Sequence, residues 1–281
     1  MPDTLPSAVP RTAVAPLYYR HALPVRIMHW INVVALTILL MSGLQIFNAH
    51  PALYWGERSD PEHAVFALRA IETGDDEIRG VTELWGHRLD TTGLLGASTE
   101  DGERVARGFP AWMTLPGSQW LAMGRRWHLF FAWIFVLNAL TFGVYALLSR
   151  HLTRDLLPHG RDLAGLGASL RDHLRFRFPA GEPRYNVLQK AAYVTVIAVL
   201  GPLVVLTGLA MSPWADATLP LLPALLGGRQ SARTVHFALT WALVGFTVMH
   251  VFMVAATGVI NNLRAILTGW ARVHHPGGSD G

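Results

Sequence analysis

The chain has 281 residues, of which 51% are hydrophobic and 15% charged; water-soluble domains carry about 25% charge, so the composition favours a membrane protein. Zero cysteines exclude disulfides, thiolate-bound metals, iron–sulfur clusters and covalently attached c-type haem on this chain. A formal charge of +4 is too small to argue for nucleic acid, and its distribution along the chain reports topology instead.

Crossing about 30 Å of hydrocarbon takes about 20 largely apolar residues, and four segments qualify. The first, 24–47, reads PVRIMHWINVVALTILLMSGLQIF. It is longer than a signal-peptide core and no A-x-A site follows it, so a retained helix is expected. The loop over 48–126 mixes an acidic run from Glu72 to Glu77 with the apolar stretch GFPAWMTLPGSQW. A loop of this length is often functional; the reading that stands equally beside it is a few amphipathic helices capping the bundle without any partner. The second span, 127–149, opens on RRWHLFFAW. The 150–186 loop follows, where Arg150, Arg154, Arg161, Arg171, Arg175 and Arg177 read as a basic face for anionic headgroups. In the third span, 187–212, Gly201-Pro202 predicts a kink because proline removes a backbone donor. Residues 214–226 are apolar but short and hold Pro220 and Pro223, which suits an interfacial connection better than a fifth span. The fourth span is 233–258. The expected fold is all-α: one integral membrane domain over 1–281, a four-helix bundle running up-down-up-down with a long outer loop between the first two helices.

An even number of spans puts both termini on one side. That side carries 13 Lys+Arg against 6 Asp+Glu, and the opposite side 10 against 13. Because short Lys/Arg-rich loops stay cytoplasmic, both termini are expected inside a bacterial inner (plasma) membrane, with 48–126 facing the periplasm.

Nine of the 13 histidines fall outside the spans, where a solvated side chain needs no explanation. The other four carry the chemistry, since an ionisable residue inside a span is costly and defaults to a functional reading. His29 starts the first span, His128 the second, and His236 and His250 lie in the fourth. Antiparallel neighbours place the beginning of an odd span beside the end of an even one. His29 therefore shares the inner half with His250, and His128 the outer half with His236. Each pair offers two imidazoles from different helices, the arrangement that holds a haem iron from both faces. His236 and His250 are 14 residues apart, which leaves them on one helix face and about 21 Å apart along it. Two stacked haems are expected, with the third span completing the bundle without a ligand.

Arg26, Arg125, Arg126 and Arg233 flank these positions and suit either haem propionates or snorkelling to headgroups. Gly43, Gly143, Gly208 and Gly245 permit close approach of a helix or a flat macrocycle.

PVRIMHW around His29, RRWHLFFAW around His128 and the His236/His250 pair together resemble the prokaryotic cytochrome b561 type, similar to the membrane cytochrome subunits of nickel–iron hydrogenase, formate dehydrogenase and thiosulfate reductase. The resemblance covers all four helices. It implies two haem b, ligated by His29 with His250 and by His128 with His236, together with quinone exchange and docking to a periplasmic oxidoreductase. The long 48–126 loop resembles a subgroup associated with molybdopterin partners of the sulfite-oxidase type. On this reading the chain is an electron-transfer subunit rather than a complete enzyme. The alternatives are a self-contained superoxide:quinone oxidoreductase, which needs no partner, and a haem-free membrane anchor, which would be colourless.

Overall fold

The computed structural model describes residues 16–74, 77–117, 119–150 and 187–272, with 167, 171 and 175 in isolation. Apart from Arg150, Arg171 and Arg175, the basic face read over 150–186 lies outside the described residues, as do Asp75 and Asp76 of the acidic run. In chain order, β1 (Leu17–Tyr19) leads into α1 (Leu23–Asn48), and a series of strands then intervenes before α2 (Leu121–Leu148). α3 (Val187–Ala210) is followed by two short helices, α4 (Pro213–Thr218) and α5 (Leu221–Leu225). The chain closes with α6 (Arg229–Ala256), α7 (Val259–Thr268) and β8 (Trp270–Arg272).

Among the described residues, α1, α2, α3 and α6 are long and apolar enough to cross a membrane, within a few residues of the expected spans. Their outward faces require lipid. On α2, Phe130, Trp133, Leu137, Leu140, Val144 and Leu147 recur every three or four residues and are 58–65% exposed, a stripe far larger than water tolerates on a soluble protein. α1 packs on α2, and α3 on α6. Asn138 ties the first pair, donating from Nδ2 to the Met28 carbonyl at 2.9 Å and to Asn32 Oδ1 at 2.7 Å. The kink expected at Gly201-Pro202 takes the form of a π-helical stretch, Thr195–Leu200, in which the Gly201 N–H reaches back to the Val196 carbonyl. Widening the helix there accommodates the donor and the space that Pro202 denies a regular turn.

Between α1 and α2 the chain folds mainly as strands, with only short 3-10 turns at Pro61–His63 and Ala111–Met113, which corrects the all-α expectation. β2 (Ala52–Leu53), β3 (Phe66–Glu72), β4 (Ile78–Leu84) and β5 (His87–Asp90) form an antiparallel sheet in that order, and β6 (Ala97–Glu100) pairs with β7 (Glu103–Ala106). Strand periodicity explains the choice. Phe66 and Leu68 face a cluster with Leu44, Phe47, Leu53 and Phe109, while the intervening Ala67 packs with Ala52, Tyr54 and Ala64. Trp85-Gly86 (φ +47°, +79°) turns the β4–β5 hairpin and Asp101-Gly102 (φ +52°, +86°) the β6–β7 hairpin, the paired positive φ matching the strand twist. The β6–β7 hairpin docks on the sheet at Gly80, where a Cβ would stand 2.1 Å from the Leu95 carbonyl oxygen.

This cap is built into the bundle. Leu44 and Phe47 come from the end of α1, and Phe237 of α6 packs against the same cluster. Asn48 and Phe109 exchange two hydrogen bonds, of 2.9 and 2.6 Å. At the opposite end, β1 pairs antiparallel with β8, so the chain entering α1 is held against the chain leaving α7. α7 is amphipathic, with Val259, Ile260, Leu263 and Leu267 exposed and Asn261, Asn262 and Arg264 between them, as suits a helix lying at a membrane surface.

Candidate haem sites

His128 lies seven residues into α2 and His236 seven residues into α6, so two helices starting under the cap bring imidazoles to the same depth. Their ring centroids are 6.3 Å apart, with the planes at 65°. At the other end, His29 is six residues into α1 and His250 six residues from the end of α6. Their centroids are also 6.3 Å apart, with the planes at 54°. The expected depth pairing is thus what the fold brings together. Imidazole nitrogens bind metals at about 2.0–2.1 Å, and two such bonds in line, with about 1 Å more from each nitrogen to its ring centre, span about 6 Å. Both separations therefore suit one metal ion between two rings. Among the described residues no group of three or more His, Cys, Asp or Glu converges on a point. A pair of imidazoles alone fits a metal whose equatorial ligands come from a macrocycle, as in a porphyrin.

The outer pair is held the same way on both sides. The His128 Nδ1–H points between the Leu39 carbonyl oxygen at 3.1 Å and Ser42 Oγ at 3.2 Å. The His236 Nδ1–H points between the Val204 carbonyl oxygen at 3.0 Å and Thr207 Oγ1 at 3.0 Å. A carbonyl only accepts, so the hydrogen sits on Nδ1 and the Nε2 lone pair is free for a metal. The glycine after each hydroxyl residue makes room. A Cβ at Gly43 would stand 3.3 Å from His128 Cε1, and one at Gly208 3.4 Å from His236 Cε1. The expected close approach at these two glycines is made by the histidine rings themselves. Among the described residues, no atom outside the local helix backbone lies within 4 Å of a Cβ built at Gly143 or Gly245.

The inner pair is set differently. His29 meets Trp30 edge-on at 5.4 Å, and Phe246 stacks on His250 at 6.0 Å and 17°. His29 Nδ1 is buried with no hydrogen-bond partner among the described residues.

Two of the flanking arginines are occupied by protein. Arg26 donates from Nε to the Ile266 carbonyl at 3.4 Å and from Nη2 to that of Leu267, tying α1 to α7. Arg233 donates to the Ala52 carbonyl at 2.9 Å and to that of His50, and its guanidinium lies 5.3 Å over the Phe47 ring. Arg125 and Arg126 are exposed. Of the histidines outside the spans, His50 is held below its ordinary range by burial and by the Arg233 guanidinium, and His63 is raised by its bond to Asp60.

Sequence reading missed Ser42, Thr207 and the part played by α3, which offers no ligand but supplies both acceptors for His236. A signal was present: Leu39-x-x-Ser-Gly-Leu in the first span and Val204-x-x-Thr-Gly-Leu in the third are the same pattern, each on the helix that packs against the one bearing an outer histidine.

A relative from Azospira oryzae, provisionally named protein-methionine-sulfoxide reductase subunit YedZ1, is 29% identical over 240 residues, covering 85% of this chain and 91% of the relative. No solved structure matches the chain. The model of the family described as prokaryotic cytochrome b561 matches residues 20–269, nearly the whole bundle with its cap, and the chain belongs to that family.

Proposed function

We propose that this membrane cytochrome b holds two haem b, one between His29 and His250 and one between His128 and His236, and passes electrons between quinol and a redox partner docked on the β-cap. The observation that carries this reading is the repeated 6.3 Å ring separation at two depths of one bundle. Haem bound at these positions supplies one-electron exchange. The chain supplies the rest. Four imidazoles fix position, the Leu39 and Val204 carbonyls keep a hydrogen on Nδ1 of the outer ligands, and the apolar spans exclude water. The stagger of His236 and His250 along α6, about 21 Å, makes the pair of sites a relay across most of the hydrocarbon.

A quinone fits the groove of about 570 Å³ between α1, α2 and α7, lined by Leu23, Ile27, Trp30, Ile31, Phe131 and Leu267, with Arg26 also on its wall. It is apolar and wide enough for a quinone ring and tail, and Trp30 touches His29. The partner reading draws on the cap, which exposes Trp85 and Trp112 at 72% each, and on the name of the relative. By the charge bias, the termini lie in the cytoplasm of a bacterium and the cap in the periplasm.

Stopped-flow mixing of a short-chain quinol with the protein in nanodiscs tests this. Full reduction of both haem bands is expected in the wild type, with a slower rate in Trp30→Ala, whose side chain lines the groove. A wild type that quinol does not reduce overturns the quinone reading. Quinone reduction by superoxide with the chain alone points to a self-contained enzyme instead.

A further inference from the structure

We propose that Ser42 and Thr207 are positioning residues that lower the midpoint potential of the outer haem by drawing on the Nδ1–H of its two ligands, a device with no counterpart at His29 among the described residues. The inference rests on the haem reading above. Each hydroxyl first commits its own proton to the helix it stands on: Ser42 Oγ–H to the Ile38 carbonyl at 2.6 Å, and Thr207 Oγ1–H to the Leu203 carbonyl at 2.8 Å. With its hydrogen spent, the oxygen can act toward the imidazole only as an acceptor. Each outer ligand therefore shares its N–H between a carbonyl and a hydroxyl oxygen, with all four distances between 3.0 and 3.2 Å.

Both side chains are fully buried, so the bonds are made in a low dielectric and are not traded for water. The same geometry arises twice, on two different helices and with different hydroxyl residues. Chance packing of one serine does not produce that.

The chemical consequence follows from charge. Pulling on Nδ1–H moves imidazole toward imidazolate and makes Nε2 a stronger donor, which favours the ferric over the ferrous ion. At the inner site His29 Nδ1 has no acceptor among the described residues. Ser42 and Thr207 therefore separate the tuning of two sites that are each built from a pair of imidazoles.

Spectroelectrochemical titration of Ser42→Ala, Thr207→Ala and the double variant, each with haem quantified by pyridine haemochrome, tests this. Single variants keep the Leu39 or Val204 carbonyl and are expected to retain both haems. The outer potential is expected to rise in each, to rise further in the double variant, to return in Thr207→Ser, and to leave the inner potential where it was. Assignment of the two waves comes from His250→Ala, which keeps only the outer haem. Unchanged outer potentials, or equal movement of both waves, overturn the proposal. If Thr207→Ala sheds the outer haem, retention in Thr207→Ser upholds the hydroxyl as the group that positions the ligand, and loss from both overturns it. A wild type without haem refutes the underlying reading instead, so the two failures are distinct.

Discussion

Replacing Gly43 examines how tightly the outer histidine is seated. A Cβ at this position would stand 3.3 Å from His128 Cε1 and 3.6 Å from Nδ1, so alanine forces the ring away by a few tenths of an ångström. The two Nδ1 bonds, at 3.1 and 3.2 Å, already lie near the long end of good geometry, about 3.2 Å, and stretch beyond it. Each is worth about 0.5–1.5 kcal/mol net, so their joint loss is roughly 1–3 kcal/mol, or about five- to 150-fold in retention of whatever the ring holds. Valine adds γ-carbons where the imidazole now lies and should expel the ligand. In Gly43→Ala, haem titration should show a weakened outer site; in Gly43→Val, about one haem per chain should remain, with the inner spectrum intact. Leu140→Ala, on the lipid-facing side of α2, is the control and should change neither. Two haems with unaltered bands in Gly43→Val would refute the seating of His128 against this glycine, as would loss of the inner haem in its place.

Other perturbations address the frame. Arg233→Ala removes the donors that cap the His50 and Ala52 carbonyls, bonds to a charged group worth about 1.5–3 kcal/mol, and should expose residues 50–56 to protease without altering the inner haem. Asn138→Ala leaves Asn32 without its interhelical partner; membrane hydrogen bonds of this kind average about 0.6 kcal/mol and reach about 1.7, a loss measurable in a detergent-denaturation midpoint. Gly80→Ala places a methyl group against the Leu95 carbonyl and should undock the β6–β7 hairpin, read as new proteolytic cleavage between 97 and 106. The exposed His63–Asp60 pair has a raised imidazole and a lowered carboxyl. Its contribution is fully present below the ordinary histidine value of 6.5 and fades as pH rises through the raised one; on the acid side it fades as pH falls through the lowered carboxyl value. An NMR titration of His63 should move back toward 6.5 in Asp60→Asn.

What was legible in the sequence followed from strong constraints. Hydrocarbon thickness fixed the four spans, and the rarity of histidine within them singled out His29, His128, His236 and His250. Antiparallel succession then paired them by depth as the fold does. The cap was misread because its strands are short and its composition polar, so no long period stood out. Yet Glu100-Asp101-Gly102-Glu103 is a strong hairpin signal, and the alternation in Phe66-Ala67-Leu68 was there to be weighed. α7 escaped because ten residues beyond a span look like a tail until β8 pairs with β1 and closes them back on the bundle. The acceptors on Nδ1 were hidden for a different reason. Ser42 and Thr207 are ordinary residues in membrane helices, and only the packing of α1 on α2 and of α3 on α6 turns them toward a histidine.

The most direct measurement is a reduced-minus-oxidised spectrum with pyridine haemochrome quantification, on the purified chain and on single alanine variants of His29, His128, His236 and His250. About two b-type haems per chain are expected, with His29 and His250 variants losing one and the same spectral component and His128 and His236 variants losing the other. A colourless chain, or a spectrum indifferent to these four histidines, would contradict the relay and leave a membrane anchor in its place.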